Sequence, residues 1–186
     1  MLVAISLKAY LGVEETAEWV GTLVSLVQAE PLPEGVELVI FPSSPVLAAA
    51  ALQIEGTSIR LGAQTVASHS SGAQTGEVLA SMLAELGCSY VEIGHAERRA
   101  QHGETDALVA AMVTESITAG LTPFVCIGES SRSTSEDAIA ACAEQLTLVL
   151  QRSAAHPVVI AYEPVWAIGA AAAAPVEYVV SVARGL

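Results

Sequence analysis

The stretch Val158–Gly169, VVIAYEPVWAIG, decides the reading of this chain. An apolar, partly β-branched run from Val158 to Tyr162 ends in one carboxylate, Glu163, and Pro164 and a short apolar segment follow to Gly169. A run of that kind fits a strand buried on both faces. An acid at the C-terminal end of such a strand stands where α/β folds place their chemistry. Isolation beside apolar groups is expected to raise the pKa of Glu163 and make it a usable base.

Outward from that stretch the rhythm repeats. Strands are expected at Leu2–Leu7, Val36–Phe41, Ile59–Gln64, Tyr90–Ile93 and Pro123–Ile127, with Val158–Tyr162 the sixth. Helical spacing of apolar residues marks Glu14–Ala29, Val46–Gln53, about Thr75 to Leu86, Asp106–Ala119 and Glu136–Arg152. A last helix is expected over Pro175–Arg184, with proline at its start. Alternation of this kind predicts parallel strands joined by right-handed crossovers. Doubly wound sheets and (β/α)₈ barrels both satisfy it. No GxGxxG follows the first strand, which disfavours a dinucleotide fold.

Composition narrows the function classes. The 186 residues are 53% hydrophobic and 15% charged, enough for one domain with a sizeable core. The net charge of −13 argues against nucleic acid and anionic membranes as partners, and any anionic substrate must rely on local cations. No apolar run reaches the length of a membrane span, and a cytoplasmic protein is the expectation. Cys88, Cys126 and Cys142 have no metal-like spacing and suit reduced thiols.

Three candidate groups follow three different strands: Lys8, His95 and Glu163. A cation, an imidazole and a carboxylate together suit proton transfer next to a carbonyl. Singly, each also fits an ordinary solvated strand end.

Longer motifs give these residues a context. The segments AYEPVWAIG (Ala161–Gly169) and GHAERR (Gly94–Arg99) closely resemble the glutamate and histidine motifs of the triosephosphate isomerase family. Ser6-Leu7-Lys8, Gly62-Ala63-Gln64, Gly72–Glu77 and Cys126-Ile127-Gly128-Glu129 resemble further segments of that family in the same order. The resemblance spans essentially the whole chain. It implies a barrel of (β/α)₈ type, with about six units present over residues 1–186, and an aldose–ketose phosphate isomerase working through an enediolate. By the family's known pairing, Glu163 is the base, His95 a neutral electrophile, and Lys8 the electrostatic substrate contact, supported by Glu97. Ser6 and Gly169 are implied as substrate contacts. Pro164, Val165, Trp166, Ala167, Ile168 and Gly169 are implied as the front of a closing lid. Thr75 is implied as a contact in a cytoplasmic homodimer, acting on the triose phosphates of glycolysis and gluconeogenesis. No metal or organic cofactor is called for, because these groups supply acid, base and charge stabilisation.

The departures are also legible. Ser6 stands where the family carries Asn, Ala96 replaces Ser, and Gln74 stands where an aromatic is usual. The far side of the lid is a run of five alanines, Ala170 to Ala174, where a stiffer hinge is expected. These changes suggest a paralogue for a larger sugar phosphate, with a tetrulose phosphate as the alternative substrate. After Leu186 no seventh or eighth unit is seen, so a chain of these 186 residues alone is expected to be inactive and prone to associate through open strand edges. A non-catalytic barrel fragment is the third reading.

Overall fold

The computed structural model describes every residue except Arg152, Ala154 and Ala155. Six strands are formed: β1 (Leu2–Ser6), β2 (Glu37–Phe41), β3 (Ile59–Ala63), β4 (Cys88–Ile93), β5 (Thr122–Ile127) and β6 (Val159–Tyr162). They lie side by side in sequence order, each parallel to the next. This order separates the two topologies left open by periodicity. A doubly wound sheet reverses its strand order at a switch point, whereas a barrel adds strands in succession.

The crossovers carry helices α1 (Val13–Ala29), α2 (Leu47–Ile54), α3 (Ala80–Glu85), α4 (Ala96–His102), α5 (Asp106–Thr118), α6 (Ser135–Val149) and α7 (Val176–Gly185). Alternation along the strands sends one set of side chains to the helices and the other to the opposite face. Ile40, Leu61, Val91, Val125 and Ile127 join Val20, Leu47, Leu83 and Val109 in one buried cluster between sheet and helices. On the opposite face the Phe41 and Phe124 rings meet edge to face with centroids 5.4 Å apart. Gly62 lies under the Phe41 ring, where an added Cβ would stand 2.4 Å from Cε1. The register of β3 against β4 shifts at this glycine.

Several boundaries differ from expectation for physical reasons. The helix expected from about Thr75 begins only at Ala80. Thr75 and Gly76 instead form an exposed turn in which Gly76 has φ +94, outside the helical region. A short helix not foreseen, α4, follows β4; Gly103 ends it in the left-handed conformation. The long helix expected to reach Arg152 is described to Val149, and Arg152 itself lies outside the described residues. Residues 170–174 are not helical despite five alanines, and 170–173 are exposed, consistent with Pro175 disfavouring helix just before it.

The expectation that the Val158–Tyr162 strand is buried on both faces is overturned, and the first strand is open in the same way. Val3 and Ile160 are 38% and 37% exposed. Both strands lie at the edges of the described sheet, each with one neighbour, so half their surface meets no second strand. Among the described residues no helix is long and apolar enough to cross a membrane. Cys88, Cys126 and Cys142 are buried free thiols; burial pushes Cys88 and Cys142 each up to about 11.

Candidate active site

The C-terminal ends of β1, β4 and β6 bring Lys8, His95 and Glu163 into one cluster. Lys8 adopts φ +47, a left-handed conformation unusual for a residue with a side chain. Its carbonyl is held from two sides, accepting from Ser43 Oγ at 2.8 Å and Gln64 Nε2 at 2.9 Å. Gln64 also donates to the Phe41 carbonyl at 2.9 Å, so the strained residue is over-determined by its neighbours. Lys8 Nζ donates to Glu97 Oε1 at 2.8 Å. Burial acts to lower the Lys8 pKa, but the Glu97 hydrogen bond and charge, with smaller help from Tyr10 and Glu163, leave it raised. The same hydrogen bond from Lys8 holds Glu97 below the usual carboxylate value, against a partial opposing effect of burial.

Glu97 therefore pairs with Lys8 and not with the neighbouring arginines. Arg98 pairs with buried Glu104, and Arg99 reaches Asp106 at 2.6 Å and the Gly94 carbonyl at 2.7 Å. These contacts fix the turn from Gly94 into α4.

His95 sits at the N-cap of α4 and is buried, with Nδ1 accepting the Glu97 backbone N–H at 3.2 Å. This contact uses Nδ1 as an acceptor, which leaves Nε2 as the nitrogen free to donate. Nε2 lies 3.4 Å from Glu163 Oε2. The other oxygen, Oε1, accepts the Ala96 backbone N–H at 2.9 Å. Glu163 is thus not isolated among apolar groups, as the sequence suggested; the start of α4 supplies it with polar neighbours.

Glu163 is located by its backbone as well. Its N–H donates to the Ile127 carbonyl at 2.9 Å, continuing the β5–β6 ladder, and the Val165 N–H donates to the Glu129 carbonyl at 3.1 Å. A Cβ on Gly128 would stand 1.8 Å from the Glu163 carbonyl oxygen, so only glycine permits this approach.

Past Glu163, Pro164 leads into a 3₁₀ turn, Val165–Ala167, and Gly169 takes φ +70. Trp166 is tied down at the start of this segment. Buried Glu129 accepts Trp166 Nε1–H at 2.6 Å, Tyr178 OH at 2.8 Å and Tyr162 OH at 3.0 Å. Arg132 lies 5.2 Å over the Trp166 ring, and the Tyr178 ring meets it edge to face. Burial, then hydrogen bonding to Glu129, pushes both Tyr162 and Tyr178 up, so both remain donors. This one carboxylate joins β5, β6, the following segment and α7.

The cavity in front of Lys8 and His95 is lined by Ser6, Gln64, Glu92 and Glu97. Glu92 was missed by sequence reading because it lies inside an apolar strand. Its place in the register opposite Phe124, on the face away from the helices, turns it toward the site. Thr75 is exposed on its turn, away from this cluster's lining residues.

The family model described as triosephosphate isomerase matches residues 1–186. An L-erythrulose-1-phosphate isomerase from Pectobacterium atrosepticum is 37% identical, aligned over 100% of this chain and 74% of its own length. A triosephosphate isomerase from Thiobacillus denitrificans is 42% identical over 77% of this chain, and one from Bordetella pertussis 48% over 67%. The chain spans only 60% and 52% of those two relatives. The crystal structure of triosephosphate isomerase from Bartonella henselae superposes with a TM-score of 0.81 at 32% identity, over 99% of this chain and 73% of that one. A match that runs through all six strands and their C-terminal turns leaves one assignment: the chain belongs to the triosephosphate isomerase family of aldose–ketose phosphate isomerases.

Proposed function

We propose that the protein to which this chain belongs interconverts glyceraldehyde 3-phosphate and dihydroxyacetone phosphate by proton transfer through an enediolate. The observation that carries the reading is the meeting of three groups from three strand ends: Glu163 Oε2 beside His95 Nε2, with Lys8 on the same cavity. Glu163 takes the proton from the carbon next to the carbonyl, and the C–H electrons pass to the carbonyl oxygen. His95 Nε2–H gives that oxygen its proton and recovers one from the neighbouring hydroxyl, so the imidazole is unchanged over the cycle. Glu163 then returns its proton to the adjacent carbon. Lys8, kept charged by Glu97, stabilises the oxygen on which negative charge develops. Pro164, Val165, Trp166, Ala167, Ile168 and Gly169 form the segment that closes over substrate, with Ser6 and Gly169 as further substrate contacts and the Glu129–Trp166 bond as its fixed end.

A second reading, a tetrulose phosphate as substrate, is favoured by the relative whose alignment covers the whole chain and whose name is that of an erythrulose-phosphate isomerase. Turnover of triose phosphates and of tetrulose phosphates by the native protein, followed in parallel, tests both. Isomerisation of neither sugar refutes the reading.

We further propose a homodimer in which the exposed Thr75 turn reaches a second subunit, in a cytoplasmic setting. Sedimentation of wild type and Thr75→Arg tests it. A dimer that becomes a monomer on substitution supports the contact, and a wild-type monomer at tens of micromolar opposes it.

A further inference from the structure

The cavity in front of His95 contains a carboxylate that the reaction above does not use. Glu92 is 7% exposed, and Ser6 Oγ donates to its Oε2 at 2.9 Å. Among the described residues Glu92 has no salt-bridge partner, although Lys8 is near enough to affect its charge; Lys8 is engaged by Glu97. Both Ser6 and Glu92 line the cavity with His95. A buried carboxylate without a cation is costly, and an apolar residue would serve an inner strand position better. The pair therefore calls for a role in binding.

Its chemistry limits what it binds. A carboxyl beside a phosphate would be repulsive, so the pair faces the uncharged end of a sugar phosphate. The two oxygens that change places in an isomerisation are served by His95 and Lys8. A third oxygen, a hydroxyl that takes no part in the reaction, needs another partner, and a triose phosphate has none to offer. A tetrulose phosphate has one more hydroxyl-bearing carbon.

We propose that Glu92 and Ser6 form a hydroxyl-binding subsite that selects a sugar phosphate with one hydroxyl more than a triose phosphate. The inference rests on the isomerase reading above with its second substrate, a tetrulose phosphate. Ser6 holds one carboxyl oxygen, and the second, which makes no hydrogen bond among the described residues, is left for the substrate hydroxyl. Burial pushes the Glu92 carboxyl up, and Glu163 adds to this, while the Ser6 hydrogen bond, His95 and Lys8 offset part of it. A carboxyl that retains a proton more readily serves a hydroxyl either as donor or as acceptor.

The test is the ratio of kcat/KM on tetrulose phosphate to kcat/KM on triose phosphate, measured in the native full-length protein. Glu92→Leu is expected to lower this ratio about tenfold or more, the usual order for one lost hydrogen bond to a substrate hydroxyl. Glu92→Gln, which keeps the shape and hydrogen-bonding capacity, is expected to restore most of it. Ser6→Ala, a milder change that also decides the matter if Glu92→Leu does not fold, is expected to lower the ratio in the same direction. Equal losses on both sugars in Glu92→Leu and Ser6→Ala, or an unchanged ratio, overturn the subsite. So does a wild-type protein that turns over triose phosphate alone. A wild type that isomerises neither sugar removes the isomerase reading, and the subsite with it.

Discussion

Adding one methyl group at Gly128 is expected to disable the site from behind. An ideal Cβ at that position lies 1.8 Å from the Glu163 carbonyl oxygen and 2.8 Å from its carbon, where real Cβ contacts do not fall below 3.0 Å. More than ~1 Å of separation must therefore be found between the two backbones. Gly128 has little freedom to yield, because Gln145 clamps it: Gly128 N–H donates to Gln145 Oε1 at 3.1 Å and Gln145 Nε2 donates to the Gly128 carbonyl at 3.0 Å. Glu163 is the other party, fastened by its N–H to Ile127 and by its carboxylate to Ala96. Gly128→Ala is expected to move Glu163 by about 1 Å, a misplacement that costs on the order of 10²-fold in turnover. Overpacking adds a stability loss of roughly 1–3 kcal/mol. Gly21→Ala is the control: it lies in α1, nothing stands within 4 Å of the new Cβ, and a gain of about 0.4–1 kcal/mol is expected. Steady-state kinetics and thermal unfolding of both variants read the two effects. Gly128→Ala with turnover within threefold of wild type and an unchanged Tm would refute the reasoning.

Removal of the Glu97 charge gives a pH-dependent signature. Glu97 is lowered by Lys8, so its contribution to stability is present above its unfolded pKa and is lost as pH falls through the folded value. Lys8 is raised, so its contribution is full below its unfolded pKa of about 10.5 and is lost as pH rises through the folded value. The stability gap between wild type and Glu97→Gln should thus be widest near neutral pH and close on both the acid and the alkaline side; it should be small throughout, because the pair is 31% and 41% exposed. A gap independent of pH would show that the ion pair is not its source. For His95, nitrogen NMR of the native protein at pH 8 should find Nε2 protonated and Nδ1 bare; the opposite tautomer would contradict the Glu97 N–H contact.

Much of this arrangement was legible because it is carried by local order. Strand and helix signals alternated, and Lys8, His95 and Glu163 each followed a strand, where the chain turns toward the C-terminal face of the sheet. What escaped depends on packing. Glu92 sits between Val91 and Ile93, and only the register of β4 shows that its side of the strand is the site's and theirs the helices'. Ser43 has no motif of its own; it matters because Lys8, far off in the chain, needs a partner for a strained carbonyl. The short helix α4 is polar along its length, so no apolar period announced it. The exposure of β6 follows from its place at a sheet edge, which its apolar composition could not convey.

The central claim is that Glu163 carries a proton between neighbouring carbons of a sugar phosphate. Isomerisation by the native protein in D₂O, with the product analysed by NMR, tests it most directly. A carboxyl that holds the proton between two carbons exchanges part of it with solvent. The account predicts deuterium at the receiving carbon with wild type, and turnover reduced by at least ~10²-fold in Glu163→Gln. Product formed without any deuterium, as a direct hydride shift would give, or near-normal turnover in Glu163→Gln, would contradict it.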